Sequence, residues 1–76
     1  MEREIKMQVL TECIVKGNRL GIVVLDEAAK TAAEAVWTDG RWDTDFSYPA
    51  IGVTVDEVAE SMDYDAVREA GYTIID

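Results

Sequence analysis

Apolar and polar residues alternate along the start of the chain, with the period of two that is typical of a β-strand with one buried face. The predicted core face carries Ile5, Met7, Val9, Thr11, Cys13 and Val15. The opposite face carries Glu4, Lys6, Gln8, Glu12 and Lys16. Gly17-Asn18 matches a two-residue hairpin turn with glycine first, which places Lys16 opposite Arg19. The returning strand then adds Leu20, Ile22 and Val24 to the core face.

The outer face of this hairpin holds more apolar residues than a face exposed to water needs. They are Leu10, Ile14, Val23 and Leu25. We therefore expect either a second covering layer or a self-association surface on that side, and a homodimer is one possible outcome.

An alanine-rich stretch follows the hairpin, and its composition predicts a helix over roughly 27–37 with Asp26 as the N-cap. The end of this element has two interpretations. Asp39-Gly40 is either a helix exit or the turn of a second hairpin that pairs Trp37 with Trp42. Residues 36–42 are therefore either the end of a helix or a hairpin.

Residues 41–48 alternate again and predict a strand that ends at Pro49. Its aromatic face would carry Trp42, Thr44, Phe46 and Tyr48, and its acidic face Arg41, Asp43, Asp45 and Ser47. Thr54 and Glu57 then form a capping box for a helix that ends near Ser61 or Met62, with Val53 stapled onto Val58.

Asp63 caps a second short helix that ends at Gly71, and residues 72–75 have strand character. The predicted order is β-β-α-β-α-α-β in a single acidic domain over residues 1–76. This is an α+β fold with a small antiparallel sheet, built on the N-terminal hairpin and packed against two or three short helices.

Length, cysteine content and hydropathy restrict the class of protein. The chain has 76 residues, of which 49% are hydrophobic, so it is expected to fold as one small globular domain. A single cysteine, Cys13, excludes an intramolecular disulfide and favours a cytoplasmic location. No apolar run approaches the length of a membrane span, and we expect no membrane association.

Negative charge is concentrated in the second part of the chain. Residues 1–25 hold three acids and four bases, whereas residues 26–76 hold thirteen acids and three bases. The net charge of −9 repels phosphates and speeds encounters with basic surfaces. Direct nucleic-acid binding is therefore not expected.

The residue types give little support for catalysis. Histidine is absent, and no glycine-rich phosphate loop is present. Cys13 lies on the predicted core face, where a thiol behaves as a small hydrophobe. Asp39, Asp43 and Asp45 cluster without the spacing of a calcium loop. We expect no catalytic residues, no metal site and no cofactor.

Part of the acidic region reads Thr54-Val55-Asp56-Glu57-Val58-Ala59-Glu60 and, further on, Ala66-Val67-Arg68. In these residues it is similar to small helix-turn-helix domains of the excisionase and MerR-like kind. Such a resemblance would imply DNA binding through the second helix. Six acids against Arg68 alone would repel phosphates, however, and the segment is not assigned to that family.

The acidic residues form the predicted partner-binding site: Asp43, Asp45, Asp56, Glu57, Glu60, Asp63, Asp65 and Glu69. Carboxylates on a rigid scaffold imitate phosphates and fit a Lys/Arg groove, so the expected partner is a basic protein surface on a nucleic-acid-binding protein. In size, charge and lack of catalytic residues the chain resembles phage or mobile-element counter-defence proteins of the anti-CRISPR type. The alternative is a self-associating structural or antitoxin-like subunit whose acidity serves only solubility.

Overall fold

The computed structural model describes residues 8–75, which form a five-stranded sheet and two short helices. The strands are β1 (Val9–Val15), β2 (Asn18–Asp26), β3 (Thr31–Thr38), β4 (Arg41–Asp43) and β5 (Thr73–Ile75). The helices are α1 (Val55–Ser61) and α2 (Tyr64–Glu69), preceded by a 3-10 turn over Pro49–Ile51. The predicted α+β class is confirmed, although the order of elements is β-β-β-β-α-α-β and contains one helix fewer than the sequence predicted.

The sheet is organised around β3. Strands β1 to β4 are antiparallel neighbours in chain order, and β5 returns to pair with β3 in parallel. One edge of β3 pairs with β2 over residues 31–36. On the other edge, β4 pairs with residues 36–38 and β5 with residues 31–33. The two short strands therefore share one edge of β3 and leave its centre between them.

The N-terminal hairpin is confirmed, but its turn lies one residue earlier than predicted. Val15 pairs with Asn18, so the loop is Lys16-Gly17 and not Gly17-Asn18. Both loop residues have positive φ, at 50° and 82°, as a type I′ turn requires. Asn18 is instead the first residue of β2, where its side-chain amide donates to the carbonyl of Ile51 at 3.2 Å.

A β-bulge changes which side chains of β1 face the core. Thr11 pairs with Ile22 whereas Val9 pairs with Val23, so the register shifts at Leu10. Leu10 then packs against the core cluster, and Val9 lies on the opposite face of the sheet, contrary to the predicted alternation. The predicted positions Ile5 and Met7 lie outside the described residues.

The predicted helix over 27–37 is wrong, because this segment forms a tight turn followed by β3. The carboxylate of Asp26 accepts hydrogen bonds from the backbone N–H groups of Ala28 and Ala29, which caps a single turn. Lys30, with a φ of 58°, then turns the chain into the strand. Pairing of β3 on both edges outweighs the helix propensity of alanine. The hairpin interpretation of residues 36–42 is confirmed, since Trp37 pairs with Trp42.

The predicted strand over 41–48 is shorter in the structure, and its aromatic residues do not share one face. Strand β4 ends at Asp43, whose carboxylate accepts the backbone N–H of Asp45 at 2.8 Å and turns the chain. Trp42 lies on the same face as Trp37, opposite the helices. Phe46 and Tyr48 lie in the following loop and pack against the core cluster.

Both C-terminal helices begin as predicted. In the capping box at α1, Thr54 Oγ1 accepts from the Glu57 N–H at 3.2 Å, and the Glu57 carboxylate accepts from the Thr54 N–H at 2.9 Å. The carboxylate of Asp63 caps α2 by accepting the N–H of Ala66. The helices cover one face of the sheet, and the core between them includes Leu20, Ile22, Val36, Val53, Val58 and Val67. Within residues 8–75, no helix is long and apolar enough to cross a membrane.

Candidate functional site

The predicted carboxylates of the two helices lie on the surface. Asp56 and Glu60 are four residues apart on α1, and Asp65 and Glu69 are four residues apart on α2. Each pair therefore shares one side of its helix. All four residues are exposed. Arg68 is the one basic residue on either helix, and it pairs with Asp65 at 3.4 Å.

A shallow groove of about 270 Å³ lies where α1 meets α2. Its walls include Asp63, Asp65 and Arg68, together with Met62 and Tyr64. The structure therefore brings two of the predicted carboxylates into one groove. Asp63 also keeps its capping bond within α2, so its carboxylate already has one backbone partner.

Glu57 is engaged in contacts within the chain. Besides its capping-box bonds, its carboxylate lies 3.1 Å from the ammonium of Lys16 at the hairpin turn. The hydrogen bond from the Thr54 backbone and the Lys16 ammonium together hold the pKa of Glu57 below its usual value. This predicted site residue therefore joins α1 to the first hairpin.

The remaining predicted site residues, Asp43 and Asp45, lie on a different part of the fold. Asp43 is the last residue of β4 and Asp45 lies in the loop that follows, so neither is on the helices. Asp43 is partly buried and uses its carboxylate to close the turn, whereas Asp45 is exposed. The eight predicted residues thus divide into a helical group and a pair at the end of β4.

The structure also reveals a carboxylate that the sequence analysis did not select. Glu34 lies on the helix-facing side of β3, because it pairs with Ile22 of the core face. The hydroxyl of Tyr64, on α2, donates a hydrogen bond to a Glu34 carboxylate oxygen. Because residues 27–37 were predicted to form a helix, the alternation of a strand, which places Glu34 on the helix-facing side of the sheet, was not recognised.

A second tyrosine lies beside this carboxylate. The hydroxyl oxygen of Tyr48 is buried and makes no hydrogen bond within the described part of the chain. Burial, followed by the nearby Glu34 carboxylate, raises the pKa of the Tyr48 hydroxyl. The same two causes raise the pKa of Tyr64. Both phenols therefore stay protonated at neutral pH.

A cleft of about 210 Å³ opens at this point, where the sheet edge is left uncovered between β4 and β5. Glu34 lines it from β3, and Thr44, Phe46 and Tyr48 line it from the loop after β4. Ile75 of β5 also lines it. The cleft thus combines one carboxylate, hydroxyl groups and apolar walls.

The opposite face of the sheet carries an aromatic cluster. The rings of Trp37 and Trp42 meet edge to face, with centroids 5.2 Å apart. The guanidinium carbon of Arg19 lies 4.8 Å and 5.2 Å from the two ring centroids, and its Nε donates to Glu12 at 2.7 Å. Ile14, on the same face, is 73% exposed.

Cys13 lies on the core-facing side of β1, as predicted, and packs against the core cluster. Burial raises the pKa of its thiol above the usual value, which lowers its reactivity at neutral pH. Over residues 8–75, no three His, Cys, Asp or Glu side chains converge in the manner of a metal site.

Comparison of the chain with family models, with curated proteins and with solved structures gave no match.

Proposed function

We propose that this chain is a non-enzymatic binding protein whose helical carboxylates occupy a basic site on a nucleic-acid-binding protein in the cytoplasm. The observation that carries the proposal is the exposed set on α1 and α2. Asp56, Glu60 and Glu69 make no ion pair in the described part of the chain, and Arg68 pairs only with Asp65.

The rigidity of these helices supports the proposal. A capping box begins α1 and an aspartate cap begins α2, while Val58 and Val67 anchor them in the core. A carboxylate on an anchored helix loses less conformational freedom on binding than one on a flexible tail. Such an array presents negative charge in a fixed arrangement, as the phosphates of a duplex do.

This mode of binding is electrostatic and therefore depends strongly on salt. The immobilised chain is used to capture proteins from a cell lysate at about 50 mM salt, and a salt gradient then elutes them for mass spectrometry. A captured protein is purified and titrated with the chain at rising salt, with and without competing duplex DNA or RNA. We expect affinity to fall steeply with salt and the nucleic acid to compete.

Matched charge variants identify the surface. Glu60→Gln/Glu69→Gln removes two carboxylates from the helices, and Glu27→Gln/Asp39→Asn removes the same charge from the turns that flank β3. The helix variant is expected to lose at least about tenfold in affinity while the turn variant stays close to the parent. Equal losses of affinity in both variants, or an affinity that does not change with salt concentration, would contradict the proposal.

A specific observation favours the alternative function, self-association as a structural or antitoxin-like subunit. Ile14 is 73% exposed and Trp37 is 38% exposed on the sheet face that carries no helix. Of the other predicted outer residues, Val23 is buried and Leu10 packs into the core. Light scattering after size-exclusion chromatography separates the two functions. A stable dimer that Ile14→Lys dissociates would favour self-association.

A further inference from the structure

The cleft between β4 and β5 exists because the two strands pair with opposite ends of the same β3 edge. Glu34 and Ala35 fall in the interval that neither strand covers. The loop after β4 then folds back over this interval and places Phe46 and Tyr48 beside Glu34. The cleft is therefore a consequence of sheet topology and has walls from three separate segments.

The carboxylate in this cleft has no cationic partner among residues 8–75. The four ion pairs there join Lys16, Arg19, Lys30 and Arg68 to other acids. The described hydrogen bond to Glu34 comes from the hydroxyl of Tyr64, which is neutral. A partly buried carboxylate held by one neutral donor retains most of its attraction for a cation.

The Tyr48 hydroxyl supplies a second polar group. Its oxygen is buried and has no hydrogen-bond partner among residues 8–75, although a buried hydroxyl normally has one. The oxygen is covered in this structure, so a donor that enters the cleft can use its lone pairs only after the covering atoms have moved. Phe46, which meets Tyr48 edge to face with centroids 5.1 Å apart, adds an aromatic wall.

We propose that this cleft binds a primary ammonium group carried on a short aliphatic chain. The ammonium would donate to the free Glu34 oxygen, with the Tyr48 hydroxyl as a second acceptor once the atoms that cover it have moved. The aliphatic chain would lie against Phe46 and Ile75. A guanidinium fits less well, because its planar fork pairs best with both oxygens of a carboxylate and Tyr64 already occupies one of them.

Two small-molecule probes test whether the cleft binds an ammonium group, and whether a free amine or a lysine side chain binds there more tightly. n-Butylammonium represents a free amine, and N-acetyl-lysine methylamide represents a lysine side chain of a protein. Amide chemical shifts of Glu34, Thr44 and Ser47 are followed by two-dimensional NMR during each titration. Saturable shifts with either probe support the site, and the tighter probe identifies the source. N-acetyl-norleucine methylamide, which lacks the charge, is expected to produce no saturable shift.

Variants assign the binding to the two polar groups. Glu34→Gln keeps an acceptor for Tyr64 but removes the charge, and we expect the dissociation constant to rise at least about tenfold. Asp39→Asn removes the same charge from the turn between β3 and β4 and is expected to leave binding unchanged. Tyr48→Phe is expected to weaken binding about two- to tenfold without loss of folded structure.

The opposite results would overturn the proposal. They are no saturable shift with either amine, equal binding of the norleucine amide, tighter binding of N-acetyl-arginine methylamide, or equal losses in Glu34→Gln and Asp39→Asn. The inference does not require the proposed basic partner, because the probes are small molecules. Failure of the helix variants to affect partner binding would leave the amine titrations unchanged.

Discussion

The indole of Trp42 lies directly over Gly21, on the face of the sheet opposite the helices. A Cβ on Gly21 would lie 3.0 Å from Cη2 and 3.2 Å from Cζ3 of Trp42. It would also lie 3.0 Å from the backbone oxygen of Thr11 on the neighbouring strand. Glycine at this position therefore allows the Trp42 ring to cover the centre of the sheet, where Ala35 is fully buried.

Gly21→Ala is expected to destabilise the protein by about 1–3 kcal/mol, because the added methyl group meets both the indole and a backbone atom. Relief requires Trp42 to move outward, so its fluorescence should shift to longer wavelength. Urea denaturation followed by tryptophan emission measures both effects. An unfolding free energy equal to or above that of the parent would contradict the contact, since alanine in an unobstructed strand is normally favoured over glycine.

The two tyrosines beside Glu34 are expected to respond differently to loss of their hydroxyl groups. Tyr64→Phe removes the hydrogen bond to a partly buried carboxylate and should cost about 1–3 kcal/mol of unfolding free energy. Tyr48→Phe removes a buried hydroxyl with no partner in the described part of the chain, so its effect should be near zero or stabilising. Thermal or urea denaturation of the two variants tests this. Equal destabilisation by both would show that Tyr48 has a partner of its own.

Sequence signals that act within a few residues predicted the local structure correctly. The capping box of Thr54 and Glu57 and the aspartate cap at Asp63 lie within four residues of the helices they begin, and both were predicted. The alanines of β3 wrongly predict a helix, because their preference for helix is small compared with pairing on both strand edges. Whether the helix preference of the alanines or the strand pairing dominates depends on residues far from this segment in the chain.

In the candidate sites too, the sequence predicts local features but not the contacts between distant segments. The sequence identified which residues are acidic, and the structure shows that Glu57 also bonds to Lys16 and Asp43 to its own turn. The cleft could not be predicted, because Glu34, Tyr48 and Tyr64 come from a strand, a loop and a helix. A strand assignment for residues 31–38 would have placed Glu34 on the core face, but not beside either tyrosine.

The three tyrosines of the chain are expected to ionise together, in a single step that coincides with alkaline unfolding. Hydrogen bonding to Glu27 raises the pKa of Tyr72, and burial raises those of Tyr48 and Tyr64. Because the folded pKa values lie above the unfolded value near 10, stability is retained below pH 10 and lost as the pH rises further. Tyrosinate absorbance and far-ultraviolet circular dichroism should therefore change together. Early, gradual tyrosinate formation in a folded protein would contradict the buried arrangement.

Because of Glu57, the free energy of unfolding is expected to decrease as the pH becomes acidic. Its folded pKa lies below the usual value of 4.5, so its contribution is complete above that pH and is lost as the pH falls through the folded value. Glu57→Gln should therefore show a smaller loss of unfolding free energy between about pH 7 and pH 3 than the parent. Asp56→Asn, in the same helical turn, is the control, because Asp56 makes no hydrogen bond or ion pair among the described contacts. If the unfolding free energies of Glu57→Gln and the parent fell equally between about pH 7 and pH 3, Glu57 would not be responsible for the acid dependence.

The turn between β3 and β4 provides a test of the hairpin that replaced the predicted helix end. Asp39 and Gly40 have φ values of 53° and 78°, as a type I′ turn requires. Asparagine tolerates this left-handed region well, so Asp39→Asn should leave stability unchanged or slightly raised. A β-branched residue does not, and Asp39→Val should lower the unfolding free energy by about 1–2 kcal/mol. Because the turn sets the register of the Trp37–Trp42 pair, Asp39→Val should also weaken the near-ultraviolet circular dichroism of the indoles. If residues 36–40 instead ended a helix, valine at position 39 would have little effect on that signal, and the two variants would differ only slightly.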